Sequence, residues 1–229
     1  VDAATARVLD ALGIEVIVES RSGCCGAIDY HLAAIEAARG AARRNIDAWW
    51  PHIERGAEAI VINASGCGAM IKDYAHVLRD DPAYAGKAAR VTALTRDLAE
   101  FLAPMQRDLA ARSSGAATGS TPRRVAFHPP CTLQHTQKIR GAVEAILAAL
   151  GAELVPVADA HLCCGAAGTY ALLQPELSRQ LRARKLENLQ DARPAMILSA
   201  NIGCLSHLET GTEVPVRHWI EWVDRLLDR

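Results

Sequence analysis

An α/β fold built as two tandem pseudo-repeat halves, with parallel sheets and cysteine-bearing loops at strand ends, is predicted by three observations. Short apolar, strand-like runs alternate with alanine- and leucine-rich stretches of helical length, which implies parallel pairing through crossover helices. The tetrapeptide Cys24-Cys25-Gly26-Ala27 recurs as Cys163-Cys164-Gly165-Ala166, and each copy is followed by a Gly-Cys, Gly66-Cys67 and Gly203-Cys204. The segments between these markers correspond in order, so one unit is used twice.

The first copy opens with a helical stretch carrying Val8, Leu9 and Leu12 that ends at Gly13. Ile14-Glu15-Val16-Ile17-Val18 then reads as a strand leading toward the cysteine pair. A long helix covers Arg43-Arg44-Asn45-Ile46, and Trp49-Trp50-Pro51 reads as its end, because the residue before proline is biased away from helix. Ile60-Val61-Ile62 forms the next strand and runs into Gly66-Cys67. The copy closes on Val91-Thr92-Ala93-Leu94, before Leu98 and Phe101-Leu102.

The second copy repeats the series. Val143, Ile146, Leu147 and Leu150 end at Gly151, and Glu153-Leu154-Val155-Pro156-Val157 follows as a strand. Arg184-Lys185-Leu186-Glu187-Asn188 lies on the long helix, then Ile197-Leu198-Ser199 runs into Gly203-Cys204. Val214-Pro215-Val216-Arg217 precedes a last helix whose stripe of Trp219, Trp222, Ile220 and Val223 reads as core. Residues 1–111 and 123–229 are therefore the two repeats, joined by the small, polar linker 112–122.

Composition narrows the function. A chain of 229 residues, 50% hydrophobic, can bury a substantial core. Its 25 basic and 26 acidic residues create no field for nucleic acid or anionic lipid. No apolar run approaches the ~20 residues of a membrane span. Val1-Asp2-Ala3-Ala4-Thr5 reads as polar helix rather than signal peptide, and an odd seven cysteines suits a reducing interior, so a cytoplasmic location is expected. Neither a dinucleotide fingerprint nor a phosphate-cradling loop is present, and no Ser/His/Asp constellation suggests a hydrolase.

The cysteines carry the chemistry. Adjacent cysteines strain badly as a disulfide with each other, so two duplicated pairs are better read as ligands. The second copy adds Cys131, at the end of the strand-like Val125-Ala126-Phe127-His128, giving Cys131, Cys163, Cys164 and Cys204. The first copy holds Cys24, Cys25 and Cys67. Placed at the same distance before Gly13 as Cys131 stands before Gly151, a first-copy partner falls upstream of Val1, so the first set is expected to be incomplete. Four thiolates satisfy tetrahedral zinc or an iron–sulfur cluster, and the spacing does not choose between them. His207, three residues after Cys204, could complete a zinc site or add a ligand, whereas Met70 stands at the corresponding place after Cys67. His128 is a further possible ligand, and reads equally as a donor behind the metal ligands or as a strand-end cap. A metal-free domain that reacts through a mixed disulfide is the third reading.

The twice-used pattern Cys…Cys-Cys-Gly…Gly-Cys resembles the cysteine-rich CCG domain found in heterodisulfide reductases, lactate-utilisation proteins and glycolate oxidase iron-sulfur subunits. His128-Pro129-Pro130-Cys131-Thr132-Leu133-Gln134-His135 and Ser199-Ala200-Asn201-Ile202-Gly203-Cys204-Leu205 are most similar to the glycolate oxidase branch. That resemblance implies an electron-transfer subunit of an oxidoreductase complex, not itself catalytic, relaying electrons from a flavin subunit to the respiratory chain. It implies a 4Fe-4S type cluster, with Cys131, Cys163, Cys164 and Cys204 as ligands and Cys24, Cys25 and Cys67 as the partial first set. It also implies attachment to the inner face of the membrane through partner subunits. Full-length relatives carry an N-terminal ferredoxin-like segment whose Cys-x-x-Cys-x-x-Cys motifs do not occur in this sequence.

Overall fold

A computed structural model describes residues 1–113 and 121–227, so most of the linker expected at 112–122 lies outside the described residues. Packing divides the chain into one unit of Ile17–Leu98 and another of Val1–Val16 with Ala99–Arg229. Among the described residues no helix is long and apolar enough to cross a membrane.

Helix α1 (Asp2–Ala11) opens the chain and belongs to the larger unit. The smaller unit contains α2 (Ala27–His31), α3 (Ile35–Glu54), β1 (Ile60–Ile62), α4 (Ser65–Lys72), α5 (Tyr74–Val77), α6 (Ala85–Leu94) and β2 (Thr95–Asp97). Strands β1 and β2 are parallel, in register from Ile60↔Thr95 to Ile62↔Asp97. The apolar face of α3, with Ala42, Ile46 and Ile53, packs against Ile71, Tyr74, Leu78 and Val91. Pro51 does not end α3 where the sequence suggests. The helix runs on to Glu54, and the proline forfeits one hydrogen bond in its last turn. Trp49 and Trp50 pack half-buried beside this core.

Helix α7 (Leu98–Leu102) leads to α8 (Gln106–Ala111), β3 (Arg124–His128), α9 (Ala142–Ala149), β4 (Glu153–Leu154), α10 (Tyr170–Leu173), α11 (Pro175–Gln190), β5 (Met196–Ser199), α12 (Ile202–Glu209), β6 (Val216–His218) and α13 (Trp219–Asp224). The sheet is wholly parallel in the order β4-β3-β5-β6. Every residue of β5 is buried, and so is β3 after Arg124, as expected of central parallel strands covered on both faces. Trp219 and Trp222 fill the core as their spacing predicts, and Trp222 Nε1 donates to the Pro122 carbonyl at 2.7 Å. Helix α1 is tied to α13 by Arg7, which grips the Asp224 carboxylate at 2.8 and 2.5 Å.

The duplication is visible in backbone detail. Ile60-Val61-Ile62 and Ile197-Leu198-Ser199 each pair with the strand that follows a crossover helix. Helices α1 and α9 end alike: Gly13 and Gly151 take φ of +75° and +82°, and the next residue donates back to Leu9 and Leu147. Beyond those glycines the copies diverge. Glu153 and Val155 donate to the Arg123 and Val125 carbonyls, so β4 forms on β3. The predicted strand at Ile14-Glu15-Val16-Ile17-Val18 is irregular instead, because a strand needs a neighbour and the described residues supply none. Ile17 and Val18 are left 54% and 79% exposed.

Candidate metal centre

Parallel sheets build sites where strands end and crossovers begin, and the second set of cysteines follows that rule. Strand β3 ends at His128, and Pro129-Pro130 delivers Cys131 to the start of a π-helical turn over Thr132–Thr136. Strand β5 ends at Ser199, and Cys204 stands in the first turn of α12, where the helix N-terminus favours a thiolate. Cys163 and Cys164 lie in the irregular loop between β4 and α10.

That loop is pressed onto α11. Gly165 has φ of +94°, and a Cβ there would sit 2.5 Å from the Ser178 carbonyl oxygen, so only glycine fits. Ser178 Oγ donates to the Gly165 carbonyl at 2.8 Å. Lys185, 1% exposed, reaches back from α11 and donates to the Asp159 and Ala160 carbonyls at 2.9 and 3.2 Å. Burial pulls its pKa down, while the neighbouring cysteines push it up.

The four thiols form a chain of sulfur contacts in the order Cys131, Cys163, Cys164, Cys204. Donation from the Cys131 thiol holds Cys163 well below the ordinary cysteine value, and Cys131 is pushed up in return. Contact with Cys164 likewise holds Cys204 far down, helped by His128 and by Asn201, whose Nδ2 lies 3.7 Å from the sulfur. Cys164 is pushed up between its neighbours. Four sulfurs in contact thus compete for protons, and a thiophilic metal would displace them.

His128 joins this group. Its ring is 0% exposed, neither nitrogen makes a hydrogen bond of ordinary geometry, and a ring nitrogen, Cys164 Sγ and Cys204 Sγ lie within 4.8 Å of one another. His207 is placed differently: its Nε2 lies 3.2 Å from Ser178 Oγ, behind the Cys164-Gly165 turn.

The first set is smaller. Contact with Cys67 brings Cys25 down to about 6 and pushes Cys67 up, while Cys24 stands exposed beside them. Cys67 occupies the first turn of α4, as Cys204 does in α12. Met70 is buried in the apolar core. Asn45 secures the loop from α3, accepting from Gly23 N at 2.8 Å and donating to the Cys24 carbonyl and to Tyr74 Oη at 3.1 and 3.0 Å. Tyr74 in turn donates to the Cys25 carbonyl at 2.9 Å, and burial pushes its phenol pKa up. The sequence reading missed Asn45, Tyr74, Ser178 and Lys185. The available signal was a polar residue on the otherwise apolar face of each long helix, one turn beyond Ala41 and Leu181, which both face the glycine of their own cysteine motif.

Comparison with known proteins agrees with this geometry. Over 230 residues the chain is 52% identical to the glycolate oxidase iron-sulfur subunit of Escherichia coli, covering 100% of this chain and 54% of that protein. It is 30% identical to lactate utilization protein A of Geobacillus thermodenitrificans, over 95% of this chain and 89% of the relative. The probable glycolate oxidase iron-sulfur subunit of Bacillus subtilis is 28% identical, over 92% of this chain and 46% of the relative. The chain therefore spans about half the length of the glycolate oxidase subunits it matches. The cysteine-rich CCG domain matches residues 1–72 and 125–209, the stretches that carry both cysteine sets, and the chain belongs to the CCG cysteine-rich domain family.

Proposed function

We propose that this chain is the CCG region of an iron–sulfur electron-transfer subunit, carrying electrons from a flavin subunit of a glycolate (2-hydroxy acid) oxidase toward the respiratory chain. The observation that supports it is the convergence of Cys131, Cys163, Cys164 and Cys204 from separate strand-end loops into one connected group. The donor set suits the cofactor, since thiolates are the ligands that iron–sulfur clusters take. When bound, a cluster of the 4Fe-4S type would supply one-electron capacity. The protein's own part is to hold and screen it. The four cysteines would ligate, Gly165 lets the loop lie close to α11, and the Lys185 ammonium offsets thiolate charge. Cys24, Cys25 and Cys67 form the partial first set, and 1–111 and 123–229 are the two repeats. Oxidation of the hydroxy acid is assigned to the flavin partner, and a ferredoxin-like segment of the full-length subunit would continue the path.

The test is anaerobic purification of the full-length subunit, with iron and sulfide analysis. Cys163→Ser or Cys164→Ser should abolish the cluster signal of this region and stop electron flow to an external acceptor. The flavin subunit should still be reduced by glycolate. Undiminished turnover at normal protein levels would overturn the assignment. A zinc-binding structural module is the second reading, favoured by the close approach of His128, Cys164 and Cys204. Stoichiometric zinc, with an iron content that Cys163→Ser leaves unchanged, would establish it.

A further inference from the structure

We infer that His128 is a direct nitrogen ligand at this centre, taking the place of one thiolate beside Cys164 and Cys204. The inference rests on the reading that a metal is bound here, and goes beyond it by naming a non-thiolate ligand. Three observations carry it. An imidazole buried without hydrogen bonds costs a few kcal/mol unless something meets it, and both nitrogens of His128 are in that state. What the ring does face is a pair of sulfurs, all three atoms within 4.8 Å. Thiolates bind metal at ~2.3 Å and an imidazole at ~2.0 Å, so donors already gathered this closely reach a common centre with small movements.

The ring's position is also fixed from behind. His128 pairs with Ser199 in the centre of the sheet, and Ser199 Oγ donates to the His128 carbonyl at 3.0 Å. The competing histidine is already engaged, with His207 against Ser178. Cys131 and Cys163, at the other end of the sulfur chain, remain for the rest of the centre. Replacing a thiolate by an imidazole raises the potential of an iron–sulfur centre, as in Rieske clusters. The consequence is a centre more oxidising than an all-cysteine one on the same loops.

The experiment uses the full-length subunit, purified anaerobically after growth with 15N-histidine, and pulsed EPR of its paramagnetic state. The expected result is a strong coupling to a directly bound histidine nitrogen. It should disappear in His128→Cys, which keeps its metal and shows a lower reduction potential. Absence of that coupling in the wild type, or its survival in His128→Cys, overturns the inference. Should the variant fail to fold, the isotope-labelled wild type decides alone. Iron analysis separates the two claims. Stoichiometric zinc, with iron content unchanged in Cys163→Ser, ends the electron-relay reading, and X-ray absorption at zinc then tests His128 by fitting one nitrogen among the sulfurs against sulfur alone. Protein without zinc whose iron content is likewise unchanged in Cys163→Ser overturns both.

Discussion

Asn45 and Lys185 stand at the same place in the two repeats, four residues beyond the side chain that faces the glycine of each cysteine motif. Both are 1% exposed, and both hold the loop ahead of the cysteine pair by bonding to its backbone. One is a neutral amide backed by Tyr74, and the other an ammonium. The sheets differ in the same sense. Strand β5 is paired on both edges, whereas β1 has a neighbour only in β2 among the described residues. The second repeat thus buries a cationic side chain behind its cysteine loop, and the first buries a neutral one. Burying a charge is costly unless opposite charge accompanies it, and the cysteines around Lys185 are in place to supply that charge.

The strongest way to break that contrast is through the ligands. Cys204→Ser should cut chelator-resistant metal at least tenfold, while Cys67→Ser leaves most of it, since metal binding at a thiolate site is worth on the order of 10 kcal/mol. Equal losses, measured by metal analysis of the two variants, would show that the repeats are not distinct sites. Next come the glycines. Gly165→Ala forces a Cβ to 2.5 Å from a backbone oxygen at φ +94°, whereas Gly26→Ala meets its nearest atoms at 3.1 Å with φ +83°. Urea unfolding should show losses of about 3 kcal/mol for the first and about 1–2 kcal/mol for the second. A reversed order would mean that the second loop is the slacker one.

Exchange of the helix residues gives a finer test. Lys185→Asn places the first repeat's residue in the second, and is expected to cost about 2 kcal/mol in thermal unfolding and to lower the reduction potential of a bound centre. An unchanged potential would leave Lys185 a loop tether only. The smallest effect concerns pH and the first repeat. Glu19 accepts from Arg21 and contacts His52 Nε2 at 2.8 Å, and these partners, Arg21 foremost, hold its carboxyl well below its ordinary 4.5. Its stabilising effect is complete above that ordinary value and is lost as pH falls through the folded one. The acid limb of unfolding should flatten in Glu19→Gln, and an unaltered limb would remove Glu19 as its source.

Much of this was legible because repetition is a property of sequence. The paired cysteine motifs, the strands at Ile60 and Ile197 and the Trp219–Trp222 stripe needed only spacing and periodicity. The strand expected at Ile14 was not decidable that way, since apolar residues pair only where a neighbour exists, and its counterpart β4 owes its form to β3. His128 was visible as a possible ligand beside His207, but nothing in the sequence favoured one histidine over the other. Its burial and lack of hydrogen bonds appear only when β3, the Cys163-Cys164 loop and α12 are brought together. Asn45 and Lys185 escaped notice because their common task is bonding to backbone, which leaves no shared chemistry in the side chains. Placing α1 with α13 depended on Arg7 and Asp224, a pairing between the ends of the chain that no local pattern signals.

The register of β3 against β5 has a consequence for biogenesis. Pairing from Val125↔Met196 to His128↔Ser199 is what sets Cys131 and Cys204 near each other, and the apolar residues Ala126, Phe127, Ile197 and Leu198 drive it without any thiol. A zinc finger uses its ion to organise a chain that is otherwise unfolded. Here the polypeptide must close a long, non-local crossover before the donors meet, which is the slow kind of folding step. A metal would therefore be loaded late, onto an assembled sheet rather than a nascent chain.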